Sequence, residues 1–308
     1  MKIRKPKFWQ KEKSFLSIIF LPISFLIIIY VFLKKKLSRP RKFKIPIICV
    51  GNIYIGGTGK TPLSILIAKE LQNYNAKPVI IKKFYDNQID ERQLIENNNV
   101  PLISEKSRIK GIILAEENYD LVILDDGFQD YNIFKNLNIL CFHYSQLIGN
   151  GFIFPSGPLR ESFSAIKRAQ IIIVNGGKNK KFEERIFRIS KDVQIFYSSY
   201  SLTNSEQFKN RKILAFAGIG NPINFFDLLR SNNLNLARTL SYPDHYEFKK
   251  EELTKMIKYA KDNDYTILTT EKDYLRIEKY KLNEINFCKI HLDILEREKF
   301  LNTIKKYL

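Results

Sequence analysis

The chain has 308 residues, 44% of them hydrophobic, with 13 Gly and 11 Pro. That is length for two domains or one large one with a buried core, and it excludes a disordered chain, a collagen-like repeat and a linker-dominated architecture. Cys49, Cys141 and Cys288, odd in number and far apart, exclude a disulfide framework and a cysteine-based zinc site, which implies a reducing, cytosol-facing compartment. The net charge of +19 would suit nucleic acid, but residues 1–44 hold 13 Lys or Arg against the single acid Glu12, so most of the excess is N-terminal.

In chain order, the first element is apolar. Phe15 to Leu33 runs 19 residues without a charge, and a helix of that length spans roughly 28 Å, close to the hydrocarbon core of a bilayer. Lys34-Lys35-Lys36 closes the run and no small-residue cleavage site follows, so the segment reads as an uncleaved membrane anchor over residues 1–36 rather than a secretory signal. Both flanks are basic, which leaves orientation open, and Pro22 with Ser24 permits a kinked, interfacial helix.

After Pro40 the pattern is that of an α/β protein. Ile45–Gly51 reads as a buried strand, and Thr61–Asn73 as a helix with Leu63, Leu66, Ile67 and Leu71 at helical spacing and Pro62 in its first turn. Apolar runs at Pro78–Ile81, Asp120–Leu124, Ile139–His143 and Gln170–Val174 alternate with helix-length segments, which points to a mostly parallel sheet with helices on both faces. Gln194–Tyr200 reads as a further strand, and a domain boundary falls near 195–210. A second series of strands follows at Ile213–Ala217, Tyr265–Thr270 and Phe287–Leu292, and amphipathic Glu296–Leu308 is expected to return to the first domain as a helix.

The chemistry concentrates where the first strand meets the first soluble helix. There Gly56, Gly57, Thr58, Gly59, Lys60 and Thr61 form GGTGKT. Glycines let backbone N–H groups curl around phosphate oxygens, the helix N-terminus adds its dipole, a lysine reaches the terminal phosphates and a Thr hydroxyl can hold Mg²⁺. The strict G-x-x-x-x-G-K-[ST] pattern would need Gly where this chain has Tyr54. Downstream, Asp125 and Asp126 end a buried strand, where a parallel sheet binds ligands and a second acid can hold Mg²⁺. The pairing of the two motifs points to nucleoside-triphosphate chemistry.

Together with the apolar N-terminus, the motifs VGNIYIGGTGKTP (50–62), DDGFQD (125–130), PSGPLRE (155–161), AFAGIGNP (215–222), YPDHY (242–246) and TTEKD (269–273) resemble the tetraacyldisaccharide 4′-kinase family of lipid A biosynthesis, in order and over nearly the whole chain. The resemblance implies an α/β, P-loop NTPase-like fold of two α/β/α sandwich domains joined by a two-stranded linker, with an N-terminal membrane-associated helix. On this reading the anchor is 1–36, the kinase domain 37–195 with the C-terminal helix 296–308, and the second domain 201–290, with Gln194–Tyr200 and Asn286–Leu292 as linker strands. It also implies ATP and Mg²⁺, a lipid A disaccharide precursor and membrane lipids as partners with no nucleic acid, and catalytic domains on the cytoplasmic face of the inner membrane. The family lacks the first glycine of the strict pattern, which accounts for Tyr54.

By resemblance, Lys60 and Thr61 serve phosphate and metal, and Asp125, Asp126 and Gln129 the metal and nucleotide. Arg160 and Glu161 lie near phosphate and substrate, and Asn52 near the lipid headgroup. His245 supports a catalytic aspartate. The family's Ser-Arg-Gly-Tyr and Gly-Asp-Glu-Pro stretches are altered and brought closer together here, with Tyr85 and Asp90 as the best matches. Taken alone, His245 would be a surface or helix-start histidine and Arg160 a solvated loop arginine. The alternative class is a membrane-associated P-loop ATPase of partitioning or targeting type. Such enzymes carry Lys before the two glycines, where this chain has Ile55.

Overall fold

The computed structural model describes residues 6–12, 14–85 and 89–308. In chain order its elements begin with α1 (Phe15–Ile19), α2 (Leu21–Leu37), β1 (Ile47–Gly51), α3 (Lys60–Gln72), β2 (Pro78–Lys83) and α4 (Ile89–Glu96). They continue with β3 (Leu102–Glu105), α5 (Arg108–Ala115), β4 (Leu121–Asp125), β5 (Leu137–His143), β6 (Ile171–Asn175), α6 (Lys180–Phe187) and β7 (Gln194–Leu202). The last are β8 (Lys212–Ala217), α7 (Pro222–Ser231), β9 (Asn235–Ser241), α8 (Lys250–Asp262), β10 (Thr266–Thr270), α9 (Glu271–Ile277), β11 (Ile285–Cys288), β12 (Ile290–Ile294) and α10 (Arg297–Lys305).

Two compact bodies divide the chain. The first comprises the described residues of Lys5–Phe84, Asn99–Ser199 and Asp293–Leu308; the second those of Tyr85–Asn98 and Tyr200–Leu292. Residues 85–98 therefore depart from the sequence reading, which left them in the kinase domain. The cause is α4: it packs on α9, and Asp90 and Glu91 in its first turn pair with Arg276 and Lys272.

The first body is built on a sheet of order β12-β7-β6-β5-β1-β4-β2-β3, parallel from β3 through β7. β1, β4 and β6 are buried end to end, which is why they read as unbroken apolar runs rather than alternating ones. From β1 the chain passes through α3 to β2 on one side, and from β4 it crosses to β5 on the other. The winding reverses beside β1, and ligands bind at such a switch, past the carboxyl ends of the strands. α5 and α6 bury Ile112, Ala115, Phe182 and Ile186 in one core with Ile47 and Cys49 of β1. The C-terminal helix α10 docks here through Phe300, edge-to-face with Phe196 of β7.

The apolar N-terminal run is two helices, not one. Pro22 lies in the first turn of α2 and has no N–H to continue the hydrogen-bond ladder of α1, so the break falls at Phe20. Among the described residues no helix is long and apolar enough to cross a membrane. Ser17 and Ser24 are buried against residues 150–156: Asn150 Nδ2 donates to Ser17 Oγ at 3.0 Å, and Ser24 Oγ donates to Ile153 O at 2.9 Å. Phe15, Ile18, Phe25, Leu26 and Phe32 are left exposed.

In the second body the sheet order is β11-β10-β8-β9, all parallel. β8 alternates between two cores: Ile213, Ala215 and Ala217 pack with Phe225, Phe226 and Leu229 of α7, whereas Leu214 and Phe216 pack with Leu253, Met256 and Ile257 of α8. Helices thus cover both faces, as in an α/β/α sandwich. The strand expected at Phe287–Leu292 is interrupted at Lys289. The Asn204 side chain brackets the break, donating to Phe287 O and accepting from Lys289 N, both at 3.0 Å. Asn286–Cys288 therefore belongs to the four-stranded sheet instead of a linker strand.

Candidate active site

In the first body the loop after β1 leads into α3. Gly51 closes the strand where a Cβ would meet Phe128 Cβ at 2.5 Å, so only glycine fits. Gly59 caps α3 with φ of 93°, a left-handed conformation that glycine adopts without strain. Asn52, which the resemblance puts near the lipid headgroup, is fully buried, and its amide donates to Gly56 O at 3.1 Å and Thr58 Oγ1 at 2.9 Å and so braces the loop. Its Oδ1 has no hydrogen-bond partner among the described residues.

Opposite the loop, Asp125 is fully buried and its Oδ2 accepts from Thr61 Oγ1 at 2.9 Å and from Lys82 Nζ at 2.6 Å. Asp126, with φ of 59°, turns the other way. Its Oδ1 lies 2.8 Å from Arg160 Nη1 and 3.6 Å from Lys60 Nζ, and its backbone O accepts from Arg108 Nη2 at 2.8 Å. Burial would raise the Asp126 carboxyl, but Lys60, then Arg160 and Lys82, outweigh it and hold the group well below its ordinary 3.8.

Gln129 ties the two motifs together, donating to Asn52 O at 2.9 Å and to Glu161 Oε1 at 2.8 Å. Glu161 also accepts from Tyr131 OH at 3.1 Å and pairs with Arg168, whose guanidinium lies over the Phe128 ring, 4.1 Å from its centroid. Burial, followed by Glu161, pushes the Tyr131 phenol up to about 12. The outcome is an apron of cations and N–H groups around the N-terminus of α3, an arrangement that favours phosphate. Thr61, Asp125 and Asp126 offer hard oxygen donors. These fit Mg²⁺, which is held by one or two carboxylates together with substrate phosphates rather than by an all-protein cage.

In the second body Asp90 is buried, and Arg276 grips its Oδ2 through Nη2 at 2.6 Å and Nε at 3.1 Å. His245 Nδ1 and Lys272 Nζ each lie 3.8 Å from the same oxygen. Lys272 pairs with Glu91 at 2.7 Å, and although burial opposes it, Glu91 and Asp90 raise the lysine above its ordinary value. Arg276 reaches on to Asp273 at 2.7 Å and to Gly218 O at 2.8 Å, and the Gly218 N–H donates to Asp273 at 2.9 Å. Asp90 and His245 are therefore brought together, while Tyr85 is exposed.

A protein-family model described as tetraacyldisaccharide-1-P 4′-kinase matches residues 16–99 and 90–308. The chain belongs to that family. A tetraacyldisaccharide 4′-kinase of Pelagibacter ubique (strain HTCC1062) is 42% identical over 99% of this chain and 98% of its own length. One from Rickettsia akari (strain Hartford) is 30% identical over 96% and 93%. Among solved structures, the LpxK of Aquifex aeolicus in complex with ATP is 25% identical, with a TM-score of 0.72, and covers 95% of this chain and 99% of that one. The kinase expected from the motifs and the P-loop-like α/β fold agree with all three.

Three residues of this kinase escaped the sequence reading. Arg276 carried one available signal, its place one helical turn after Asp273 of TTEKD. Arg108 and Lys82 carried none, because Arg108 reaches the Asp126 carbonyl from α5 and Lys82 reaches the Asp125 carboxylate from β2, both in other elements.

Proposed function

We propose that this chain transfers the γ-phosphoryl group of ATP to the 4′-hydroxyl of a tetraacyldisaccharide 1-phosphate, giving lipid IVA in lipid A biosynthesis. The observation that carries the reading is the juxtaposition of the Gly56–Thr61 loop with Asp125 and Asp126, in a chain of this family. The loop amides of Gly56, Gly57, Thr58 and Gly59 cradle the phosphates, Lys60 offsets their charge, and Gln129 and Arg160 orient the nucleotide region. Glu161 holds Gln129 and Arg168 in place. Thr61, Asp125 and Asp126 would hold Mg²⁺, which would supply charge neutralisation on the phosphates.

A sugar hydroxyl is a weak nucleophile, and a carboxylate that accepts its proton lowers the barrier. Asp90 takes that role with His245 as its support, and Tyr85 contacts the acceptor. Acyl chains require a lipid phase, so we place the enzyme at the cytoplasmic face of the inner membrane. The exposed apolar residues of α1 and α2 meet the lipid there, and Lys34–Lys36 meet anionic headgroups.

The test is transfer of label from γ-labelled ATP to detergent-solubilised disaccharide 1-phosphate. Labelled lipid should form with the wild type and be lost in folded Lys60→Ala. Near-normal turnover in Lys60→Ala would remove this loop from catalysis. In the same assay Asp90→Asn should lower kcat strongly at unchanged ATP affinity. Adding His245→Ala should then change little, because residues that act as a unit are non-additive.

A further inference from the structure

Lys82 lies near the end of β2, and its side chain is 6% exposed. Its ammonium lies 2.6 Å from Asp125 Oδ2, the oxygen that also accepts from the Thr61 hydroxyl at 2.9 Å. The other carboxylate oxygen faces Ser64 Oγ at 3.4 Å. A buried carboxylate without a counter-ion is strongly unfavourable, and here a lysine fixed in the sheet supplies one. Thr61 and Asp125 are also the donors assigned to Mg²⁺. Lys60, Lys82 and Arg160 already outnumber the carboxylates Asp125 and Asp126, so a divalent cation arriving alone meets a positive local field.

We infer that Lys82 is a resident counter-ion of Asp125 that competes with the divalent cation for this carboxylate, so that the metal binds weakly to the protein alone and enters with the nucleotide. The negative charge of the triphosphate balances lysine and metal together. In the interval before it arrives, Lys82 keeps Thr61 and Asp125 in register. The inference rests on the kinase reading above and deepens it by giving an order to the loading of the site.

The test uses Mn²⁺, followed by its electron paramagnetic resonance signal, with the full chain in detergent and no acceptor lipid. Without nucleotide, the wild type should bind Mn²⁺ weakly and Lys82→Met about tenfold or more tightly, as expected when a neighbouring cation is removed. Lys82→Arg, which keeps the charge, should remain weak. A non-hydrolysable ATP analogue should raise wild-type affinity and narrow the gap to Lys82→Met. Because Lys82→Met leaves Asp125 without its partner, thermal unfolding is measured in parallel: Mg²⁺ alone should raise the midpoint of Lys82→Met and not that of the wild type.

Unchanged or weaker Mn²⁺ binding by folded Lys82→Met would overturn the inference, as would tight nucleotide-free binding by the wild type. Failure of Lys82→Met to fold even in Mg²⁺ also counts against it, since a metal sharing the carboxylate would stand in for the lysine. Failure of the wild type to bind the ATP analogue strikes the kinase reading itself and leaves the nucleotide-free comparison intact.

Discussion

At the scale of single residues, each carboxylate proposed to work is held by a cation, and the cation differs in kind. Asp125 has a lysine from its own sheet; Asp90 has the two-pronged grip of Arg276, which also spans Asp273 and Gly218 O. Arg276→Ala strands two buried carboxylates and should destabilise the second body by roughly 3–5 kcal/mol, the cost of breaking a buried pair from one side. Arg276→Lys should lose less, as it keeps the charge but not the fork. Denaturant unfolding of the two variants checks the order. Asp126 adds a pH dependence. Because its folded value is depressed, its stabilising contribution is present above 3.8 and is lost as pH falls through that value toward the lower folded one. Arg160→Gln removes one source of the depression and leaves Lys60 and Lys82, so thermal midpoints of wild type and variant should differ near neutrality and converge only below 3.8, as pH falls through the two depressed folded values. A gap of constant width would assign the effect to something other than this carboxylate. The glycine-loop and DDG residues were legible because their chemistry is local in sequence. Lys82 and Arg276 were not, because β2 is set beside β4 by sheet order and α9 beside α4 by packing, and neither neighbour is visible from spacing.

At the scale of elements, strands buried on both faces announce themselves as apolar runs, and β1, β2, β4, β5 and β6 fall where those runs do. Boundaries made by a single side chain do not. Pro22 splits an apolar run that composition alone makes one helix, and the Asn204 side chain splits what reads as one strand into β11 and β12. The first of these bears on function. α1 and α2 use Ser17 and Ser24 to bind the protein and leave Phe15, Ile18, Phe25, Leu26 and Phe32 outward, a pattern that would suit an element lying against a lipid phase. Removal of residues 1–36 should therefore release the protein from anionic vesicles in a flotation assay and weaken use of bilayer-presented lipid more than use of ATP. Retention of the truncated chain on vesicles at high salt would assign the attachment to another surface.

At the scale of the whole molecule, a charge of +19 proved a poor guide until it was divided along the chain, because the N-terminal excess accompanies an apolar element instead of a binding groove. The order of the motifs carried more. Six short stretches in one sequence pointed to a single family, and the family model, a 42% identical relative and a full-length structural counterpart agree. The phosphate loop belongs to the first body, and Asp90 and His245 to the second. Phosphate is expected to leave ATP for one hydroxyl of a lipid and not for water. The most direct measurement is phosphorus–proton correlation NMR of the lipid product, with ADP quantified in the same reaction. One new phosphomonoester at C4′ for each ADP formed is the predicted result. ADP and inorganic phosphate with unmodified lipid would contradict it and describe an ATPase instead.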